Sequence, residues 1–221
     1  MSDIRLYVHI LLDRSGSMEA CRDSTIKAFN DYIAKLKEAW KTPTRLSLTL
    51  FDSESIDLVH DALAVGSVPE LSRATFVPRG STPLLDAIGH TVDRVDKMAL
   101  AANERVTFVI LTDGQENASR EHTRESIAKL LAGRQEDKDW LVLYLGANQD
   151  AFREAAAFGI GAAHSMDYAV GHEGAAFHAI SRSTSDYASA PSAKRGRVAA
   201  SFSDHERAAS KPGKPDRDPK A

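Results

Sequence analysis

Residues 4 to 17 read Ile4-Arg5-Leu6-Tyr7-Val8-His9-Ile10-Leu11-Leu12-Asp13-Arg14-Ser15-Gly16-Ser17. The run from Ile4 to Leu12 is rich in β-formers and its second half is nearly all apolar. Such a run spells a strand buried on both faces, as in a parallel sheet. A carboxylate that closes an apolar strand needs a partner, because a buried unpaired charge is costly. Asp13 therefore marks where the strand opens onto polar chemistry, and Ser15, Gly16 and Ser17 after it are small, two of them hydroxylated.

Outward from this stretch, strands and helices alternate. From Met18 to Trp40 the residues Ile26, Phe29, Ile33, Leu36 and Trp40 recur at intervals of three and four, one stripe of an amphipathic helix that Thr42-Pro43 ends. Arg45 to Phe51 alternates Leu46, Leu48 and Leu50 with polar residues. Ser55 to His60 is a second short extended run, and Asp52-Ser53-Glu54 between them reads as a hairpin turn. Pro83 opens a second long helix, with Leu84, Leu85, Ile88, Val92, Val95 and Ala99 on one face. A strand over Val106 to Leu111, a helix from about Thr123 to Leu131 and a strand over Trp140 to Leu145 follow. The pattern then gives a helix from about Asp150 to Phe158 closed by Gly159, a short strand near Ala163 to Asp167 and a helix near Glu173 to Ser183. This order predicts an α/β domain with a mostly parallel sheet and helices on both faces. No internal repeat is present.

Composition narrows the function classes. The 221 residues carry a formal net charge of -3, which gives no electrostatic case for nucleic acid over the folded part. No stretch approaches the roughly 20 consecutive apolar residues that span a bilayer. Met1-Ser2-Asp3-Ile4 has no basic n-region, and Asp13 breaks the apolar run, so a strand is expected there rather than a signal peptide. Cys21 is the single cysteine, which excludes an internal disulfide and a paired-thiolate zinc site and fits a reducing, cytoplasmic setting. Beyond about Ala188 the chain is rich in Ser, Ala, Lys and Arg and punctuated by Pro191, Pro212, Pro215 and Pro219. The expectation is one domain over residues 1–188 and a disordered, mildly basic tail over 189–221. Lys194, Arg195 and Arg197 read as solubilising charge.

Three loops carry the chemistry: Asp13-Arg14-Ser15-Gly16-Ser17 after the first strand, Gly80-Ser81-Thr82-Pro83 before the second long helix, and Thr112-Asp113-Gly114 after the strand through Leu111. In an open parallel sheet, ligands bind beyond the carboxyl ends of the strands, where all three loops can converge. The donors on offer are the carboxylates of Asp13 and Asp113 and the hydroxyls of Ser15, Ser17 and Thr82. An all-oxygen set suits a hard divalent cation, Mg2+ or Mn2+, and Ca2+ less tightly. Two carboxylates roughly neutralise such an ion and leave it electrophilic toward a carboxylate from another molecule. Plainer roles exist for each residue. Ser17 and Thr82 are placed to cap helices, Asp113-Gly114 is an ordinary turn dipeptide, and Glu116 reads as a solvated loop carboxylate. The eight histidines are scattered, with His9 a packed residue of the first strand.

Together, Asp-x-Ser-x-Ser at 13–17, Thr82 in a Gly-Ser-Thr-Pro-Leu loop and Thr-Asp-Gly at 112–114 resemble the metal-ion-dependent adhesion site of von Willebrand factor A (VWA) domains, over roughly residues 4 to 185. The resemblance implies Ser15, Ser17 and Thr82 as direct metal ligands, with Asp13 and Asp113 acting directly or through water. It implies a Rossmann-like fold with one antiparallel edge strand, for which Ser55 to His60 is the candidate. It also implies a non-enzymatic binding module whose cation recruits an Asp or Glu of a partner protein, in the manner of small intracellular bacterial or phage members, some of which work beside AAA+ ATPases or in stress systems. The alternative is a Mg2+-dependent hydrolase or phosphotransferase with Asp13 as nucleophile. Against it, residue 15 is Ser, so the Asp-x-Asp pattern is missing, and no Gly-x-x-x-x-Gly-Lys-Ser/Thr loop is present.

Overall fold

The computed structural model describes residues 4–39, 42–98, 100–101, 103–147 and 151–211. Its strands are β1 (Arg5–Asp13), β2 (Thr44–Phe51), β3 (Ile56–Ala64), β4 (Glu104–Thr112), β5 (Leu141–Ala147) and β6 (Ser165–Tyr168). They form one sheet in the order β3-β2-β1-β4-β5-β6. Every pair is parallel except β2 with β3, which is antiparallel across the short connection at Asp52–Ser55. The mostly parallel Rossmann-like sheet with one antiparallel edge strand is therefore present, and that edge strand runs on to Ala64. It is irregular: the register shifts around Leu48, and Ala62 has a positive φ of 47°.

The helices are α1 (Arg22–Ala39), α2 (Leu84–Lys97), α3 (Arg124–Asp137), α4 (Ala151–Ala157), α5 (Glu173–Ser189), α6 (Ala193–Ala199) and α7 (Asp204–Ala209). Alternation along β1 divides them between two faces. Leu6, Val8, Ile10 and Leu12 face one core with Phe29, Ile33 and Leu36 of α1 and Phe177 and Ile180 of α5. Tyr7 and Leu11 face the other with Ile88 and Val92 of α2, Ile127 and Leu131 of α3 and Ala155 of α4. From Leu6 to Asp13 every residue of β1 is buried, which is why its sequence lacks a polar face.

Several boundaries depart from the periodicity reading. Residues Gly16–Cys21 form a 3-10 turn, so the first α-helix begins at Arg22. Helix α3 runs past Leu131 to Asp137, and its last turn is anchored by Arg134 and Lys138 on Asp96 of α2. Helix α5 continues past Ser183 because Ser183, Thr184 and Tyr187 are buried, although their polarity hides it in the sequence. Trp40, Ala99 and Asp150 lie outside the described residues.

The largest correction concerns the expected tail. Through Lys211 the chain is ordered as α6, which packs on α5, and α7, which packs on α5 and β6. Phe202 N donates to Ala163 O at 2.8 Å and Ala169 N to Ser210 O at 2.8 Å. Arg207 donates to the carbonyls of Ser165 and Ala162, and Ala200, Phe202 and Ser210 are buried. Arg182 of α5 holds Glu206 at 2.5 Å and the Ser201 carbonyl at 2.6 Å. Arg197 turns inward onto Asp139 at 3.1 Å. A composition poor in large apolar residues suffices here because charged side chains bond to backbone at a sheet edge that would otherwise stay open. Residues 212–221 lie outside the described residues. No helix among the described residues is long and apolar enough to cross a membrane.

Candidate metal centre

Strand order reverses between β1 and β4: β1 continues to β2 on one side, and β4 to β5 on the other. At such a switch point the loops leaving adjacent strands diverge and open a crevice. Asp13 is the last residue of β1, and Asp113 directly follows β4, so the two acids flank that crevice. Ser15 and Ser17 follow on the loop and its 3-10 turn, and Thr82 lies just before α2.

The five side chains assemble in one place. Ser15 N donates to Asp13 Oδ1 at 2.7 Å, Ser15 Oγ and Ser17 Oγ share a hydrogen bond at 3.2 Å, and Ser17 Oγ donates to Asp113 Oδ1 at 2.7 Å. Thr112 Oγ1 donates to Asp13 Oδ2 at 2.5 Å. Thr82 is brought to the same point from the side. A Cβ built on Gly114 would stand 2.8 Å from Thr82 Oγ1, 3.6 Å from Ser17 Oγ and 3.7 Å from Asp13 Oδ2. Oxygens from two loops thus surround a space that the glycine of the third leaves clear. The capping roles open to Ser17 and Thr82 are not taken up: Ser15 and Pro83 occupy the N-cap positions, and neither helix start has a side-chain cap.

The electrostatics fit a cation. Asp13 is fully buried, and desolvation pushes its carboxyl up to about 6 despite the hydrogen bonds from Thr112 and Ser15. Burial likewise raises Asp113, against the hydrogen bond from Ser17. Two carboxylates held above their usual range around hydroxyl oxygens form a set that a hard divalent ion would relieve. Among the described residues no group of three or more His, Cys, Asp or Glu could hold a metal. The donor chemistry present is oxygen with a majority of hydroxyls.

The residues that brace these loops were not evident from the sequence. Glu116 is not a solvated loop carboxylate: it accepts from Leu85 N at 2.9 Å, Ala118 N at 2.9 Å, Ser119 N at 2.8 Å and Ser119 Oγ at 2.7 Å. Asn117 Oδ1 accepts from Thr82 N at 2.9 Å. Asp86 accepts from the backbone N–H groups of Arg120, Glu121 and His122 at 2.7, 3.0 and 2.8 Å. Burial alone would raise Asp86, and these donors outweigh it, leaving the carboxyl below its usual range. On the other flank, Arg14 is buried and bonds Asp52 at 2.6 Å and Asp57 at 2.8 Å, with Arg79 sharing Asp52 at 3.0 Å. The contacts that join separate loops, such as Leu85 N to Glu116, Arg120 N to Asp86 and Arg14 to Asp52, span about 30 or more residues in sequence. A polar groove of about 890 Å3 opens beside the site, between Ser53, Ser81, Pro83, Asn117 and Arg120.

The histidines lie elsewhere in role. His9 is buried between Tyr7 Oη at 3.0 Å and Thr49 Oγ1 at 2.8 Å, and burial, aided by Arg94, lowers its ring to about 3, so it stays neutral. His164 and His172 bond the carbonyls of Arg197 and Ala209. Cys21 is buried, and desolvation pushes its thiol up to about 12, which keeps it unreactive.

Neither a family model nor a curated protein matches the sequence. Solved structures do match the fold. One is a von Willebrand factor type A protein from Catenulispora acidiphila, with TM-score 0.57 and 15% identity, covering 83% of this chain and 43% of that one. Another is the manganese-loaded TRAP protein of Plasmodium vivax, with TM-score 0.57 and 15% identity over 79% of this chain and 72% of that one. A third is the vWF domain of the type V pili tip protein Mfa5 from Porphyromonas gingivalis, with TM-score 0.61 and 10% identity over 87% and 99% of the two chains. The chain spans less than half the length of the Catenulispora protein. With its 3-2-1-4-5-6 strand order and antiparallel edge, this chain has the fold of von Willebrand factor A domains.

Proposed function

We propose that this chain is a metal-dependent protein-binding module. The supporting observation is the meeting of Asp13, Ser17 and Thr82 oxygens around the space left by Gly114, with Ser15 and Asp113 hydrogen-bonded into the same cluster. Ser15, Ser17 and Thr82 would hold a Mg2+-type cation directly, with Asp13 and Asp113 balancing its charge directly or through water. That cation would supply a Lewis-acidic position open to an Asp or Glu carboxylate of a partner protein. The chain's own residues prepare this position. Thr112 and the Ser15 N–H fix both oxygens of Asp13, so its orientation is set before any ligand arrives. Ser17 joins the two acidic loops through Asp113, and Gly114 keeps the approach free of side-chain bulk.

A binding role is favoured over hydrolysis because the candidate nucleophile Asp13 has both oxygens engaged, Oδ1 by Ser15 N–H and Oδ2 by Thr112 Oγ1. The lone buried Cys21 is consistent with a cytoplasmic setting. The testing experiment is capture of partner proteins by wild type in Mg2+ and in EDTA, beside Asp13→Ala and Thr82→Ala. Both substitutions should abolish metal-dependent capture with the fold intact. Unchanged capture by both refutes the mechanism.

A further inference from the structure

Thr82 follows Gly80, whose φ is +64°, by two residues and directly precedes Pro83, outside any helix or strand, so no ladder fixes it. Both of its backbone polar groups end on one residue: Thr82 N donates to Asn117 Oδ1 at 2.9 Å, and Thr82 O accepts from Asn117 N at 3.2 Å. Asn117 is exposed and follows Asp113 by four residues, so this two-bond bridge joins two of the three ligand loops. Glu116 sets the direction of Asn117. Its carboxylate takes the Ala118 and Ser119 backbone N–H groups on one side and Leu85 N, in the first turn of α2, on the other. The remaining loop is tied on by Gly16 N to Gly80 O at 3.1 Å and Arg79 N to Arg14 O at 2.9 Å.

We propose that Asn117 is a positioning residue for the metal centre: by imitating a neighbouring strand, it holds Thr82 so that its hydroxyl faces the Asp13, Ser17 and Asp113 oxygens. The proposal rests on the metal-module reading above. The bridge runs from exposed Asn117 to buried Thr82 through two hydrogen bonds and brings no apolar side chain into the core, so its purpose is the placement of Thr82 rather than the stability of the sheet. Groups that orient metal ligands without touching the ion typically set affinity by 10- to 100-fold.

The test measures Mn2+ affinity of the full chain by calorimetric titration, together with the melting temperature in EDTA. Asn117→Ala should weaken Mn2+ binding by about tenfold or more, with the EDTA melting temperature unchanged. Asn117→Asp keeps an acceptor for Thr82 N and should retain wild-type affinity. Equal Mn2+ affinity of Asn117→Ala and wild type overturns the positioning role alone. Parallel loss of affinity and melting temperature makes the residue merely structural and also overturns it. Equal weakening by the Asp variant overturns the acceptor role. A wild-type chain that takes up no Mn2+ overturns the metal reading, and this inference with it.

Discussion

Thr112 Oγ1 donates to Asp13 Oδ2 at 2.5 Å, linking the end of β4 to the end of β1 across the point where strand order reverses. The bond satisfies one oxygen of a carboxylate that burial still holds up at about 6. Asp13 is therefore a cost to the metal-free fold. Its folded-state value lies above the unfolded one, so its contribution is most favourable below about pH 4 and is lost as pH rises toward 6. A carboxyl raised from 3.8 to about 6 corresponds to on the order of 3 kcal/mol. In EDTA, Asp13→Asn should be more stable than wild type at pH 7 to 8, and the difference should vanish near pH 4. Urea unfolding at both pH values reads this, and a less stable Asn variant at pH 8 would contradict it.

Gly114 offers a way to block the centre without removing a ligand. Its backbone does not need a positive φ, so alanine is tolerated conformationally, but the new Cβ falls 2.8 Å from Thr82 Oγ1. A ligand at about a hundred times its Kd raises stability by about 2.7 kcal/mol. Gly114→Ala should lose most of the Mg2+-induced rise in melting temperature while wild type keeps it. An undiminished rise would mean that the oxygens meet elsewhere.

Asp86 ties the 120–122 turn to α2 through three backbone N–H groups. Its folded carboxyl is held low, so this stability is present above the unfolded carboxylate range and is lost as pH falls through the folded value. Hydrogen bonds to a charged acceptor are worth roughly 1.5–3 kcal/mol. Asp86→Asn should cost about that at pH 7 and much less at pH 3, as judged by denaturant midpoints.

The α6–α7 segment should behave as part of the domain. Phe202 is 5% exposed, and Phe202→Ala is expected to cost about 3 kcal/mol, the lower end for losing a buried phenyl. Truncation after Ala190 should uncover the β6 margin and promote aggregation, visible by light scattering. A disordered tail would give neither effect.

These four cases also mark what the sequence makes legible. The strand β1 and the stripe of α2 follow from unbroken apolar patterning, and Asp13 stands out because it ends such a strand. The five cluster residues were recognisable because each lies in a short motif at a strand exit or helix entrance. Glu116, Asn117 and Asp86 were not, since most of their partners are backbone groups, which carry no sequence signature. The α6–α7 packing was hidden for the related reason that Arg182, Arg207 and Glu206 read as solvated charge until their partners are seen.

The cluster draws on positions 13–17, 82 and 112–114, brought together only when β1 and β4 are paired and α2 lies between them in sequence. An ion held there as proposed would find its surroundings complete only after residue 114 has been made and β4 has paired with β1, and long-range parallel pairing is itself a slow event. On the proposed reading, partner recognition would wait on assembly of the sheet, and ion uptake would report that β1 and β4 are correctly paired.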